Sequence, residues 1–167
     1  IIGVIEDHPE IAKQGVLLRK YGQEVIRLTA GKRIHGTGAI PGGVNKALTK
    51  AERLRYLAEL PLAPDAMLTN PALSWREVDA DHLVVSCGTG PMRAEVTFEL
   101  NTEGRVAGVS ATDRPRSATS PTLPTPWIGA FSDYRQIAGR WVPGSGQVAW
   151  VIGGTPIWYW RGTVHDW

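Results

Sequence analysis

Arg93-Ala94-Glu95-Val96-Thr97-Phe98-Glu99-Leu100 is the stretch whose reading decides the fold. Arg93, Glu95, Thr97 and Glu99 alternate with Ala94, Val96, Phe98 and Leu100, and successive side chains of a strand point to opposite faces. The segment therefore reads as a strand with one wet face and one buried face. Asn101-Thr102-Glu103-Gly104 supplies a turn and Val106 to Ala111 a returning strand, so 92–112 is a hairpin.

Working outward, the same period of two marks strands over 74–79, 82–88, 127–137, 146–152 and 156–165. They are separated by turn sequences such as Pro143-Gly144-Ser145-Gly146 and Gly153-Gly154-Thr155-Pro156. Short connections at this spacing predict a curved antiparallel meander of about six strands. Arg114 to Pro126 holds four prolines in thirteen residues and reads as a loop. In the last strand, alternation puts Trp158 and Trp160 on one face and Ile157 and Tyr159 on the other, so both faces are apolar. One packs on a core; the other needs a helix, a ligand or a partner to cover it.

Upstream of Trp75 the period changes. Residues 7–29 read as an amphipathic helix, with Ile11, Val16, Leu18, Tyr21, Val25, Ile26 and Leu28 every three to four positions. Asp7 is the expected cap, with Glu10 three residues on as in a capping box, and Pro9 is tolerated in the first turn. Gly15 and Gly22 weaken this helix by roughly 1 kcal/mol each relative to alanine, which suggests close packing against a neighbour. Residues 30–47 form a glycine-rich, irregular connection, and 48–60 a second helix stopped by Pro61. The fold class is α+β: an N-terminal helical segment with a Gly-rich connection, then the sheet.

Composition narrows the function classes. All seven tryptophans and both phenylalanines lie after residue 70. Residues 1–60 carry ten Lys/Arg against six Asp/Glu, whereas 61–167 carry eight against ten. A net charge of +2 over 167 residues implies neither nucleic-acid binding nor a basic membrane patch. Cys87 stands alone, so one chain forms no internal disulfide and no cysteine cage, and a reducing, cytoplasmic compartment is the default reading. The chain begins Ile1-Ile2-Gly3 and has no basic leader and no apolar run of about 18 residues, so it reads as a soluble, trimmed or internal fragment without a membrane span.

Two runs, Gly15-Val16-Leu17-Leu18-Arg19-Lys20-Tyr21-Gly22-Gln23-Glu24-Val25-Ile26 and Gly31-Lys32-Arg33-Ile34-His35-Gly36-Thr37-Gly38-Ala39-Ile40-Pro41-Gly42-Gly43-Val44-Asn45-Lys46, closely resemble the middle of the large subunit of nickel-iron hydrogenases of the soluble, cofactor-coupled kind. The resemblance implies a helix from the bundle around the metal site. It also implies motif positions at His35, Pro41, Gly42 and Gly43, with His35 matching a histidine that lies toward the iron-sulfur partner subunit. Hydrogen oxidation or proton reduction in that family needs four cysteine thiolates in two Cys-x-x-Cys motifs, and neither is present. The segment is expected to hold no metal or cofactor, and to partner the iron-sulfur small subunit only if its contacts survive. In a glycine-rich loop, His35 is otherwise a structural hydrogen-bonder. Gly36-Thr37-Gly38 and Gly42-Gly43 serve turns rather than a phosphate cradle, since no Gly-Lys-Ser/Thr ending follows.

The remainder resembles the C-terminal half of a bacterial family known only as a domain of unknown function. Leu54 to Ala66, Trp75, Pro126-Trp127, Phe131-Ser132-Asp133-Tyr134, Val142-Pro143, Val148-Ala149-Trp150 and Tyr159-Trp160-Arg161-Gly162 carry that likeness. The two resemblances place a join near Arg53: a hydrogenase-like helical fragment over 1–52, and an antiparallel β domain over 53–167. No complete active site is expected, and the chain is read as a hybrid whose sheet is a structural or apolar-ligand-binding module. Two alternatives stay open, a hydrogenase-derived piece that keeps only interaction capacity and an unrecognised enzyme built on the sheet. Trp150, Trp158 and Trp160 form the candidate apolar ligand face, which an apolar small molecule or a covering protein partner would occupy; core and cross-strand packing is the competing reading. His82, His165, Asp133, Asp166 and Ser132 are the residues with catalytic chemistry, but they match no Gly-x-Ser-x-Gly or His-Glu-x-x-His pattern. Cys87 reads as a small buried hydrophobe.

Overall fold

The structure, a computed structural model, describes residues 7–30, 39–40, 43–44, 46–116 and 123–165. His35, Pro41, Gly42, Asp166 and Trp167 lie outside the described residues. The chain divides into two compact units, Ile1–Leu48 and Thr49–Trp167.

In the first unit, helix α1 spans Pro9–Ala30. The first helical hydrogen bond runs from Ala12 N–H to His8 C=O (3.0 Å), so His8, not Asp7, stands at the cap position. Ile11, Val16, Leu18 and Tyr21 on this helix are exposed. A Cβ added at Gly15 or Gly22 would meet nothing within 4 Å among the described residues, so no close approach by a described residue requires either glycine. The passage expected to be irregular contains a short antiparallel ladder of β1 (Ala39–Ile40) and β2 (Gly43–Val44), which places Gly43 opposite Ile40.

The second unit begins with helix α2, Lys50–Glu59. A complete capping box starts it: Thr49 Oγ1 accepts from Glu52 N–H (3.2 Å) and Glu52 Oε2 accepts from Thr49 N–H (2.9 Å). Pro61 does not end the chain's helical course abruptly but sits in a single 3-10 turn, Leu60–Leu62, followed by the short helix α3, Pro64–Thr69. The strands then follow as β3 (Leu73–Glu77), β4 (His82–Cys87), β5 (Ala94–Leu100), β6 (Val106–Pro115), β7 (Pro124–Ser132), β8 (Arg135–Ile137), β9 (Arg140–Val142), β10 (Ser145–Ile152) and β11 (Thr155–Thr163).

Seven of these strands form one antiparallel sheet in the order β11-β10-β7-β6-β5-β4-β3, while β8 and β9 pair separately. The mixed α+β class and the meander follow the sequence reading. The strand expected over 127–137 is instead two: the backbone turns at Asp133 (φ 55), and β8 pairs with β9 around Ala138-Gly139, where both residues have positive φ. That is the requirement of a two-residue hairpin turn whose twist matches its strands, and Gly153-Gly154 meets it again between β10 and β11.

One face of the sheet carries the core. Leu54, Leu57, Ala58 and Leu60 from α2 and the following turn pack on Val85, Cys87, Val96, Phe98, Val109 and Trp127. Cys87 is buried between its strand partners Leu73 and Ala94, as its reading as a small hydrophobe requires.

Candidate functional site

At the β11 end of this helix-covered face lies a cleft of about 350 Å³. Its floor is Trp127 and Phe131 from β7, Val148 from β10, and Tyr159 and Trp160 from β11; its other wall is Ala58 and Glu59 at the end of α2 and Leu62 from the turn that follows, with Arg114 from β6. Period-two alternation places Trp127, Gly129 and Phe131 on the core side of β7. Glycine is needed in the middle of that series, because a Cβ at Gly129 would stand 2.8 Å from Val109 Cγ1 and 3.2 Å from Trp127 Cη2.

Two irregularities in strand pairing shape the cleft. Between Val148 and Ala149 the register shifts: Val148 pairs with Trp160 and Ala149 with Trp158, so Tyr159 is an extra residue on β11. The bulge reverses the facing of every side chain beyond it. Trp160 shares the face of Val148 and lines the cleft, whereas Trp158 follows Ala149 to the opposite face, beside Ile128, Ala130, Ser110 and Thr97. Trp158 and Trp160 therefore do not share a face, and the set Trp150, Trp158 and Trp160 divides. The second irregularity lies in β6, where Ala111 pairs with Trp127 and Arg114 with Thr125. Three steps on β6 oppose two on β7, and the extra residue brings Arg114 to the side that Ala111 and Trp127 face. Arg114 and Pro115, expected in a loop, are thus strand residues.

The polar groups of the cleft are held by aromatic rings. Trp127 Nε1–H donates to Tyr159 Oη (2.9 Å), and the Tyr159 ring stacks on Trp150 with centroids 5.7 Å apart. The Arg114 guanidinium lies 4.0 Å above the Trp127 ring and 5.9 Å from that of Trp150. Among the described residues, Arg114 Nη1 is the buried side-chain nitrogen or oxygen without a hydrogen-bond partner. Glu59 keeps solvent contact at the cleft mouth, yet the protein crowded around its carboxyl strips enough water to raise its pKa, against the pull of Arg114 and Arg55. No ion pair joins Glu59 to Arg114 among the described residues, and Asp113, next in sequence to the arginine, bridges Lys50.

A second, more open recess of about 500 Å³ lies between α3 and the β8–β9 hairpin. Its polar groups are already matched. Arg105 lies 3.7 Å above the Trp141 ring, Arg140 bridges Asp65, and Tyr134 Oη donates to Val106 C=O (2.8 Å). Burial pushes the Tyr134 phenol up to about 12, so it stays a neutral donor that ties the β7–β8 connection to the start of β6.

The residues with catalytic chemistry do not assemble. His82 Nδ1 meets Asp79 Oδ1 at 2.8 Å at an exposed strand end, and that hydrogen bond raises the histidine pKa and lowers the aspartate's. Ser132 Oγ donates to its neighbour Asp133 (3.1 Å), and His165 is exposed. Among the described residues no hydrogen bond links these groups into a relay, and no three His, Cys, Asp or Glu side chains stand close enough to hold a metal ion.

The family profile described as a family of unknown function, DUF6544, matches residues 32–162. The chain belongs to DUF6544. Three curated relatives match about a third of this DUF6544 chain. It is 51% identical over 57 residues to the NAD-reducing hydrogenase HoxS subunit beta of Cupriavidus necator, covering 34% of this chain and 12% of that protein. To one subunit of the F420-non-reducing hydrogenase vhu of Methanocaldococcus jannaschii it is 49% identical over 59 residues, covering 35% and 14%. To one subunit of the F420-non-reducing hydrogenase of Methanothermobacter marburgensis it is 37% identical over 71 residues, covering 37% and 15%. The chain thus spans less than a sixth of the length of these relatives. No solved structure matches it. Both resemblances read from the sequence are borne out, and the family match begins at residue 32, upstream of the join expected near Arg53.

The hydrogenase likeness implies a nickel-iron centre, and the donor set does not fit one. Such a site needs four thiolates, whereas the chain holds one cysteine, and Cys87 lies in the sheet core. Of the motif positions that likeness assigned, Gly43 lies in β2, while His35, Pro41 and Gly42 lie outside the described residues. Sequence reasoning placed Tyr159 beside the tryptophans of an apolar pocket but missed Arg114, Glu59 and Trp127 as parts of that site. The Arg114-Pro115-Arg116 run was the available signal, since charge inside a proline-bounded strand end is unusual, but nothing in it shows which face the arginine takes.

Proposed function

We propose that the 49–167 unit is a non-catalytic module that binds an apolar small molecule in the cleft between α2 and the β7–β10–β11 end of the sheet. One observation carries the reading: the sheet's large aromatic side chains converge on a recess that α2 does not fill, leaving Tyr159 and Trp160 about half exposed (50% and 47%) beside buried Trp127 and Phe131. A ring in a filled core loses its solvent contact; a ring in a receptor keeps it until a ligand arrives. The volume of about 350 Å³ stands at the small end of the range, roughly 300–1,000 Å³, that such sites occupy.

The test is saturable binding of Nile red, an uncharged apolar dye, to the intact, delipidated chain, with Trp160→Ala as the variant. Saturable fluorescence that weakens in the variant supports the reading; a chain that takes up no dye overturns it. Native mass spectrometry of the chain as purified then shows whether a lipid-like molecule travels with it.

A second reading is carried by the likeness to the hydrogenase subunits. On it, the first fifty residues are a joined-on piece whose exposed apolar helix face keeps a capacity for subunit contact, the partner being the iron-sulfur small subunit. Complex formation between the intact chain and a purified iron-sulfur small subunit, measured by analytical ultracentrifugation, supports it; two independent sedimenting species oppose it.

A further inference from the structure

The cleft's one charged wall constrains what can occupy it. Arg114 reaches the core side through the β6 bulge, and its guanidinium is held flat over Trp127 at 4.0 Å. Nη1 is buried without a hydrogen-bond partner among the described residues. Leaving such a donor unmet is costly, more so for a charged group, and native proteins seldom keep one without a use.

The surrounding charges do not meet the need. Glu59 shares the cleft but makes no ion pair with Arg114, Asp113 is engaged by Lys50, and Arg55 adds positive charge near both Glu59 and Arg114. Arg116 stands 5.9 Å from the Trp150 ring on the same aromatic cluster. Two guanidinium groups, those of Arg114 and Arg55, thus act on the one Glu59 carboxyl, and Arg116 adds a further positive charge beside the Trp150 ring.

Resting on the apolar-ligand reading above, we propose that the ligand is a single-chain carboxylate amphiphile whose head accepts hydrogen bonds from the Arg114 guanidinium while its chain lies along Trp127, Phe131, Val148 and Trp160. A planar carboxylate matches the fork of a guanidinium with two parallel hydrogen bonds, and an arginine already fixed by stacking gives up little freedom in making them. A cleft of about 350 Å³ holds one chain of moderate length rather than a two-chain lipid.

The experiment is displacement of Nile red from the intact chain by laurate, by dodecanol and by dodecyltrimethylammonium, which share a tail and differ in the head. Laurate is expected to bind about tenfold or more tightly than dodecanol, the scale of a charge-assisted hydrogen bond, and the cationic probe most weakly. Arg114→Gln should weaken laurate far more than dodecanol and so remove the preference for laurate, and Arg114→Lys, which keeps charge without the fork, should restore part of it. Equal binding of laurate and dodecanol to the unaltered chain overturns the proposal without any variant, and so does equal weakening of both by Arg114→Gln. Tighter binding of dodecyl phosphate than of laurate overturns the carboxylate assignment. If none of the probes displaces bound dye, or no dye binds, the apolar-ligand reading itself fails.

Discussion

Gly129→Ala tests how the floor of the cleft is packed. The new methyl would stand 2.8 Å from Val109 Cγ1, 3.2 Å from Trp127 Cη2 and 3.4 Å from Val148 Cγ1. Val109 and Trp127 are each only 2% exposed, so neither can yield toward solvent. Overpacking of this kind costs about 1–3 kcal/mol. Gly129 has no positive φ, so alanine also restricts the unfolded chain and offsets about 0.4–1 kcal/mol. The net loss is about 0.5–2 kcal/mol. With a urea slope of about 2 kcal/mol per M, the midpoint followed by tryptophan fluorescence should fall by roughly 0.25–1 M. Val109→Ala removes the nearest clashing atom, so the double variant should be more stable than the two single losses predict, by about 1 kcal/mol of coupling. An unchanged midpoint for Gly129→Ala would refute the packing, as would strict additivity with Val109→Ala.

Thr49→Ala removes the side-chain acceptor of the capping box on α2, the helix that covers the core, while keeping the Thr49 N–H bond to Glu52, and should lower stability by about 1 kcal/mol in the same urea assay. Glu59 has its pKa raised in the folded state, so its contribution to stability is full below the unfolded carboxylate value and is lost as pH rises through the higher folded value. Glu59→Gln should therefore flatten the decline in stability as pH rises through and just above the ordinary carboxylate range, leaving the acid end unchanged; an identical pH profile would show that Glu59 is not desolvated.

The alternation of Arg93 to Leu100 and the turn chemistry at Asn101 to Gly104 were enough to place the central hairpin. The turn shows why: Asn101 Oδ1 accepts from both Glu103 and Arg105 N–H, and Gly104 takes the positive φ of 72 that closes the loop. These interactions are local, so they are written in neighbouring residues. The two resemblances were likewise legible, because they rest on identity and spacing. The cleft was not. Its facing depends on an extra residue in β11 and another in β6, and a bulge is set by the register that a strand finds on its neighbour, not by the strand's own composition. Alternation carried past Tyr159 puts Trp158 with Trp160, and a proline-rich composition puts Arg114 in a loop; both inferences fail at the pairing.

What the sequence by itself determined is the class of the protein: an N-terminal helical stretch like part of a hydrogenase large subunit but without thiolate ligands, and a tryptophan-rich antiparallel meander. Periodicity, turn residues and ligand counts need no partner strand to be read. Only the tertiary structure decided which aromatic rings face the helix, and that a guanidinium without a hydrogen-bond partner lies among them. Both follow from register across neighbouring strands, where the position of one side chain is decided by another segment's backbone.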